Sequence, residues 1–508
     1  MEILTFVAIF SLFILVIRLH HKSNTKPSKT HNNSPPGPPG LPFIGNLHQL
    51  DMSCLYKYLW QLSKQYGPLM FINLGSIPTL VVSSARMAEE VMKNQDLVFC
   101  SRPKMVGHRR MSYNRLDVAF APYSQEWREM RKICVLHLLS TKRVQQFRPI
   151  REDEAIRMIK SISRKAELSE AVDLSDTLVS ITSTIICRVA FGKRWDEGGK
   201  ERRRFHELLD EVQAMFMGFF FADYFASIGW VDRLTGMHSR LEAIFKKFDA
   251  FYEELIDEHL DPNRPKSMDD DIIDLMLQIR QDGSTSFDLT IDHIKALLMN
   301  VFLAGTDTTA VTVTWAMAAL IQNPNIMKKL QTEIRETIGT KKELIDEDDI
   351  EKLPYLNATV KETMRLYPAV PLLVPRETME KCHIDGYEIQ PKTLVYVNAF
   401  AVGRDPEMWE NANEFCPDRF LNTTIDLKGL DFQLIPFGSG RRGCPGYLMG
   451  LSTVHLLLAN LVYSFDWELP FGVKKEDFDD EALPGLTMKK KNALKLVPKI
   501  PTTAAKTL

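Results

Sequence analysis

Three stretches of the chain are apolar with little interruption, and each predicts a helix. ILTFVAIFSLFILVI (Ile3–Ile17) is broken only by Thr5 and Ser11. With its flanks it approaches the roughly 20 residues that cross a bilayer core. TIDHIKALLMNVFLAGTDTTAVTVTWAMAALIQN (Thr290–Asn323) is apolar nearly all round. Thr290 is placed to cap it, Asp292 suits the positive end of its dipole, and Asn323-Pro324 stops it. At 1.5 Å per residue this helix is roughly 45–50 Å long and belongs in the interior of a large domain. The third, YLMGLSTVHLLLANLVYSF, begins at Tyr447 directly after Pro445-Gly446.

The flanks of the first stretch favour an uncleaved membrane anchor over a secretory signal. Glu2 precedes it instead of a basic run, no A-x-A-like cleavage site follows, and Arg18, Lys22, Lys26 and Lys29 sit on its carboxyl side. By the positive-inside rule these charges keep the following chain cytosolic. NNSPPGPPGLPFIGN (32–46) then reads as a linker or a stiff strut. We therefore expect an anchor at 1–20, a basic and proline-rich hinge at 21–46, and one body from 47 to 508. The polar stretches 261–271 and 340–354 are expected to be surface loops of that body.

Composition narrows the class. Of 508 residues, 45% are hydrophobic and 25% charged, which is globular. A net charge of −2 offers nucleic acid no general attraction. The seven cysteines are scattered and never form CxxC, which fits neither a disulfide framework nor a zinc site.

Polar residues inside apolar helices carry the chemistry. Ala304-Gly305-Thr306-Asp307-Thr308-Thr309 places an acid beside alcohols in a buried helix, an arrangement suited to controlled proton delivery. The alternative is a packing notch with satisfied hydroxyls. Glu362 and Arg365 share one face of LNATVKETMRLYP (356–368), a pair that is ordinarily exposed and worth little. Trp127 and Arg131 stand at i,i+4 in WREMRKIC; an indole N–H and a guanidinium suit a carboxylate-bearing ligand, unless the Trp is core and the Arg solvated.

PFGSGRRGCPG (436–446) admits two readings. Gly438, Gly440 and Gly443 spell G-x-G-x-x-G, the spacing of a dinucleotide loop, but FQLIPF (432–437) is a poor strand and no acid follows until Asp466. The second reading is a single thiolate, Cys444, among glycine amides at a helix start and near Arg442. One isolated thiolate is a poor zinc site and a good axial ligand for haem iron.

Taken together these segments resemble the cytochromes P-450. FGSGRRGCPG fits F-x-x-G-x-R-x-C-x-G through Phe437, Gly440, Arg442, Cys444 and Gly446. AGTDTT (304–309) resembles the family's oxygen-activation segment, KETMR (361–365) its E-x-x-R, FCPDRF (415–420) its P-E-R-F, and WREMR (127–131) its W-x-x-x-R helix. The proline hinge and AFAPY (119–123) look like a plant microsomal A-type member. DEHLDPNRPK (257–266) and RPIREDE (148–154) are similar, less specifically, to a branch that includes aldoxime-oxidising enzymes of plant defence. Asp418 departs from the usual Glu, leaving Arg419 in place and the local salt bridge open.

The resemblance implies a mainly α fold with a smaller β region, in the amino-terminal half of the body, behind a transmembrane helix. It implies haem b, with Cys444 as the axial thiolate favouring O–O cleavage. Asp307 and Thr308 would support protonation of the distal oxygen. Trp127, Arg131, Arg376 and Arg442 would hold the propionates, with Phe437 and Gly446 also at the cofactor, and Glu362, Arg365 and Arg419 would form a structural triad. The implied activity is a monooxygenase acting with O₂ on a small lipophilic plant metabolite, at the endoplasmic reticulum membrane. Electrons would come from NADPH through NADPH–cytochrome P-450 reductase, docked near Arg128, Lys132 and Arg441. Pocket walls are expected from 101–120, 211–225, 301–309, 370–375 and 483–488, with Ala304, Leu372, Leu373 and Val374 named. Rival readings are aldoxime oxidation, a haem-thiolate dehydratase or isomerase that consumes no O₂, and a haem carrier or sensor without catalysis.

Overall fold

The computed structural model describes residues 34–195, 199–264, 270–339, 342–474 and 481–501. The apolar segment 3–17, its basic flank and the start of the proline-rich stretch lie outside them, as do 265–269 and 340–341 of the polar loops.

Helices dominate. Those that position the site are α1 (Gln125–Ile133), α2 (Arg148–Glu167), α3 (Leu174–Phe191), α4 (Lys200–Phe216), α5 (Met237–Leu260), α6 (Ile291–Gln322), α7 (Pro354–Leu366) and α8 (Tyr447–Ser464). The central helix α6 starts where the sequence places its cap. The His293 N–H donates to Thr290 Oγ1 at 3.4 Å, and the Thr290 N–H donates to His293 Nδ1 at 3.3 Å. This reciprocal pair satisfies donors that a helix start leaves orphaned. At the far end Asn323 Nδ2 donates to Ala319 O at 2.8 Å, and Pro324 opens the next helix.

By length and composition α3, α6 and α8 could each cross a membrane. Instead α6 packs against both α3 and α8, and most of it is buried in the body. The mid-helix Gly305 faces Ile186 of α3. A Cβ there would lie 2.3 Å from Ile186 Cδ1, so an alanine would make the Ile186 side chain shift; the glycine itself carries a propensity cost of about 1 kcal/mol. Thr182 Oγ1 of α3 donates to Thr306 O at 2.8 Å beside it.

The described residues contain nine strands: β1 (Leu69–Leu74), β2 (Ile77–Val82), β3 (Val172–Asp173), β4 (Arg376–Glu377), β5 (Cys382–Ile384), β6 (Tyr387–Ile389), β7 (Leu394–Val397), β8 (Asp466–Glu468) and β9 (Lys495–Lys499). The largest sheet runs β1-β2-β7-β4, with β2 parallel to β7 and Leu80 opposite Val395. The expected confinement of the sheet to the amino-terminal half is thus corrected. β2 has only β1 as a local partner, and its other edge is covered by a strand some 300 residues on.

Residues Pro36–Asn46 lie against β1. The Phe71 N–H donates to Pro36 O at 2.9 Å, Asn46 N–H to Asn73 O at 2.7 Å, and Asn73 N–H back to Asn46 Oδ1 at 2.8 Å.

Candidate active site

The Pro436–Gly446 loop is shaped by two glycines with left-handed backbone, Gly438 (φ +67°) and Gly440 (φ +68°). A Cβ on Gly440 would fall 2.3 Å from Met92 O, so only glycine fits. Asp96 fastens the loop by accepting from the Arg441 N–H at 3.0 Å, and the Cys444 N–H closes it on Phe437 O at 2.9 Å. Residues 432–437 form turns and no strand, which removes the structural context a dinucleotide loop needs.

Cys444 opens onto an internal cavity of about 530 Å³. Its side chain is accessible from that cavity while protein surrounds it on other sides. Burial pushes the thiol up, and the Gly446 amide and the Arg131 charge pull it down. The charge nearest in effect is therefore Arg131, where proximity in sequence had suggested Arg442. Arg131 Nη2 donates to Gly443 O at 2.7 Å. The Arg442 side chain turns away to Cys100 O (2.6 Å) and Ala121 O (2.7 Å), stacked 3.9 Å over the Trp127 ring.

Four guanidiniums line the same cavity: Arg102, Arg131, Arg376 and Arg442. Burial lowers the pKa of all four, Arg442 to about 9 and Arg102 well below its usual range, with mutual repulsion adding to both. Arg376 is paired with Asp96 at 3.1 Å. The other nearby acid, Asp117, is pushed up to about 6 by burial. Positive charge is left in excess, and a bound anion is what such a wall requires. Arg102 escaped the sequence reading because an Arg before a Pro carries no positional signal; the chain crossing that buries it does.

On the opposite wall α6 presents Ala304, Asp307 and Thr308. Thr308 Oγ1 donates to Ala304 O at 2.7 Å, so its lone pairs are free to accept. Asp307 is only 2% exposed and takes a 2.5 Å hydrogen bond from Gln213 Nε2 of α4. Burial raises its pKa, with Lys489 and Gln213 opposing and Asp210 adding.

A family model described as Cytochrome P450 matches residues 35–497. The chain belongs to the cytochrome P450 family. It is 54% identical to "6,7,8-trihydroxycoumarin synthase" of Pastinaca sativa, over 92% of this chain and 93% of that one. It is 46% identical to "Cytochrome P450 71B10" of Arabidopsis thaliana, over 98% and 99%. Among solved structures, a zebra fish cytochrome P450 with abiraterone superposes with a TM-score of 0.73 at 25% identity, covering 88% of this chain and 99% of that one. The chain is accordingly an oxidoreductase of the monooxygenase class, and the family's cofactor is haem.

The residues present fit that cofactor. One accessible thiol faces the cavity on a closed loop, and an under-neutralised cluster of guanidiniums suits two propionates. Gly446 and Phe437 line the space beside the thiol, the former with no side chain to fill it. The Trp127 indole N–H, expected at the cofactor, donates instead to Val118 O at 2.9 Å, a carbonyl that also accepts from Arg442 Nη1 at 3.3 Å. The Trp127 ring supports Arg442.

The triad is real and buried. Arg365 donates to Glu362 at 2.6 and 2.8 Å, Arg419 Nε to Glu362 Oε1 at 3.1 Å, and Glu362 is inaccessible to solvent. Asp418 takes no part; it faces Lys329 and the Tyr355 hydroxyl.

All five expected segments reach the cavity, joined by Thr182, Ile185 and Ile186 of α3. Leu373 and Val374 line it, but Leu372 does not. Leu373 has φ +51°, and this turn sends Leu372 into the apolar cluster around Leu74 and Leu394. The Phe/Met run 215–225 divides: Phe216 and Met217 reach the cavity, Met215 and Phe220 are core, and Phe219 is exposed. A more open groove of about 800 Å³, between Leu320–Glu336 and Asp466–Leu469, takes in none of these residues.

Proposed function

We propose that this P450 hydroxylates a planar, lipophilic plant metabolite of the coumarin class, using O₂ and electrons passed from NADPH by a separate reductase. The observation that carries this reading is one cavity holding Cys444, Asp307 and Thr308 between apolar walls. Its roof bears a flat aromatic stack, Phe120 on Phe216 at 4.8 Å and 23°, with His108 4.4 Å from Phe120. Burial holds His108 down at about 4, hence neutral, so it adds no charge beside the Phe120–Phe216 stack. Such a surface suits a fused-ring substrate. The coumarin names of the 54% identical relatives point the same way and away from aldoximes.

Haem bound here supplies activation of O₂ at iron. Cys444 Sγ would ligate its iron, and Arg102, Arg131, Arg376 and Arg442 would hold its carboxylates. Asp307 and Thr308 would together carry protons into the cavity, while the apolar walls exclude bulk water. Thr308 favours O₂ consumption over rearrangement or mere haem carriage.

For the rest of the chain we propose a single-pass anchor at 1–20, a hinge at 21–46 and a cytosolic catalytic body from 47 onward, at the endoplasmic reticulum membrane. Exposed Leu41, Phe43 and Ile44 support a lipid-facing side. They meet the segment bearing exposed Phe219, Ile228 and Trp230 at one turn, where Gly75 N–H donates to Ile44 O and Ser76 N–H to Tyr224 O. Arg128 and Lys132 are exposed on α1 for reductase docking, whereas Arg441 is held by Asp96 at 3.0 Å.

The test begins with the dithionite-reduced, carbon monoxide-treated spectrum, in which a strongly red-shifted Soret band is expected and should vanish in Cys444→Ala. Incubation with simple coumarins, NADPH, reductase and isotopically labelled O₂ should then place one labelled oxygen in the product. Retention of the red-shifted band in Cys444→Ala would overturn the thiolate assignment.

A further inference from the structure

We infer that Gln213 is a positioning residue for Asp307, a latch by which the roof helix α4 sets the state of the proton-relay carboxyl. The inference rests on the relay role proposed above. Asp307 sits mid-way along α6 with no helix end to supply amide donors, and it is almost fully enclosed. The 2.5 Å bond from Gln213 Nε2 is the one hydrogen bond to its carboxyl among the described residues. The donor comes from across the cavity, from a helix whose inner face (Asp210, Gln213, Ala214, Phe216 and Met217) is also substrate wall. A molecule leaning on that face moves the amide with it. The charged groups acting on Asp307 besides are Asp210 on α4 and Lys489 on the carboxy-terminal loop.

An amide N–H donor favours the ionised carboxylate; taking it away favours the protonated acid. A hydrogen bond to a charged group corresponds to roughly a tenfold or larger change in an equilibrium. The Asp307 titration should therefore move up by about one pH unit when Gln213 loses its amide. A carboxyl that holds its proton more tightly delivers it less readily. The balance at stake is fixed: substrate, O₂, two electrons and two protons give hydroxylated product and water, whereas O₂ with the same electrons and protons, released early, gives hydrogen peroxide.

The experiment uses full-length enzyme with its reductase and a turned-over coumarin, comparing wild type, Gln213→Leu and Gln213→Glu. Product and peroxide per NADPH are measured across the neutral pH range. Separately, the Asp307 carboxyl band is identified in infrared difference spectra by its loss in Asp307→Asn and titrated in each variant. Gln213→Leu should raise the band's midpoint by about one unit and raise peroxide at the expense of product at every pH. Gln213→Glu should match wild-type coupling at low pH, where its protonated acid still donates, and fail as pH rises and two carboxylates face each other. Substrate binding should shift the band in wild type and not in Gln213→Leu. A Gln213→Leu band midpoint and coupling profile identical to wild type would make Gln213 a packing residue and sink the proposal. A wild-type enzyme lacking the red-shifted carbon monoxide band would instead sink the haem-thiolate reading beneath it.

Discussion

Replacing Glu362 by Ala should cost more than any single surface change, and the structure says how much. Its carboxylate accepts four hydrogen bonds: two from Arg365 (2.6 and 2.8 Å), one from Arg419 (3.1 Å) and one from the Cys416 N–H (2.7 Å). Arg365 is 1% exposed, so truncating its partner strands a charge that water cannot reach. Breaking a buried pair this way costs about 3–5 kcal/mol. Arg365 also donates to Gly403 O, Ala412 O and Glu414 O, which pin it in place and prevent escape toward solvent. With an unfolding entropy of about 2.1 cal/mol/K per residue, the 508-residue chain loses roughly 1 °C of Tm per kcal/mol. A fall of about 3–5 °C is expected in a thermal melt of the haem-loaded protein, with a lower haem-to-protein ratio after purification. Removing both charges in Glu362→Leu with Arg365→Met should recover part of that loss, because the fully buried guanidinium is gone and the cation left without its carboxylate, Arg419, lies nearer solvent. If the double variant is as unstable as the sum of the singles, the stranded-charge argument is wrong, and the two side chains act independently through packing.

Two further outcomes follow from the geometry. Gly440→Ala puts a Cβ 2.3 Å from Met92 O at a φ of +68°, so the loop must move; the left-handed strain alone is about 1–2 kcal/mol, and the amplitude of the red-shifted carbon monoxide band should drop sharply. Asp223, pushed up to about 7 by burial, binds its proton more tightly folded than unfolded, so its contribution to stability falls as pH rises from about 4 to about 7 and stays low above. Asp223→Asn can still accept from the Val106 N–H (2.8 Å in the wild type) and should flatten that slope in urea melts and raise stability at neutral pH; an unchanged slope would refute the assignment.

Much of this protein is written locally. The bounds of α6 follow from Thr290 and Asn323-Pro324, because a cap and a proline act on backbone groups within one turn of themselves. Cys444 is legible for the same reason: the glycines that shape its loop flank it in sequence. So is the Glu362–Arg365 pair, since i,i+3 residues share a helix face wherever the helix goes. What those residues face is not local. Periodicity makes Glu362–Arg365 an ordinary surface pair, and only the packing of α7 against the Cys416–Phe420 turn makes it a buried triad. Arg102, Gln213 and Thr182 gain their places from segments more than ninety residues away in sequence. Leu372 loses its expected place through a single left-handed residue beside it. β2 needs β7, and Gly305 faces Ile186. Short-range backbone chemistry is encoded where it acts. Burial, and with it the charge state of every group in the cavity, exists only once distant segments have closed around it and excluded water.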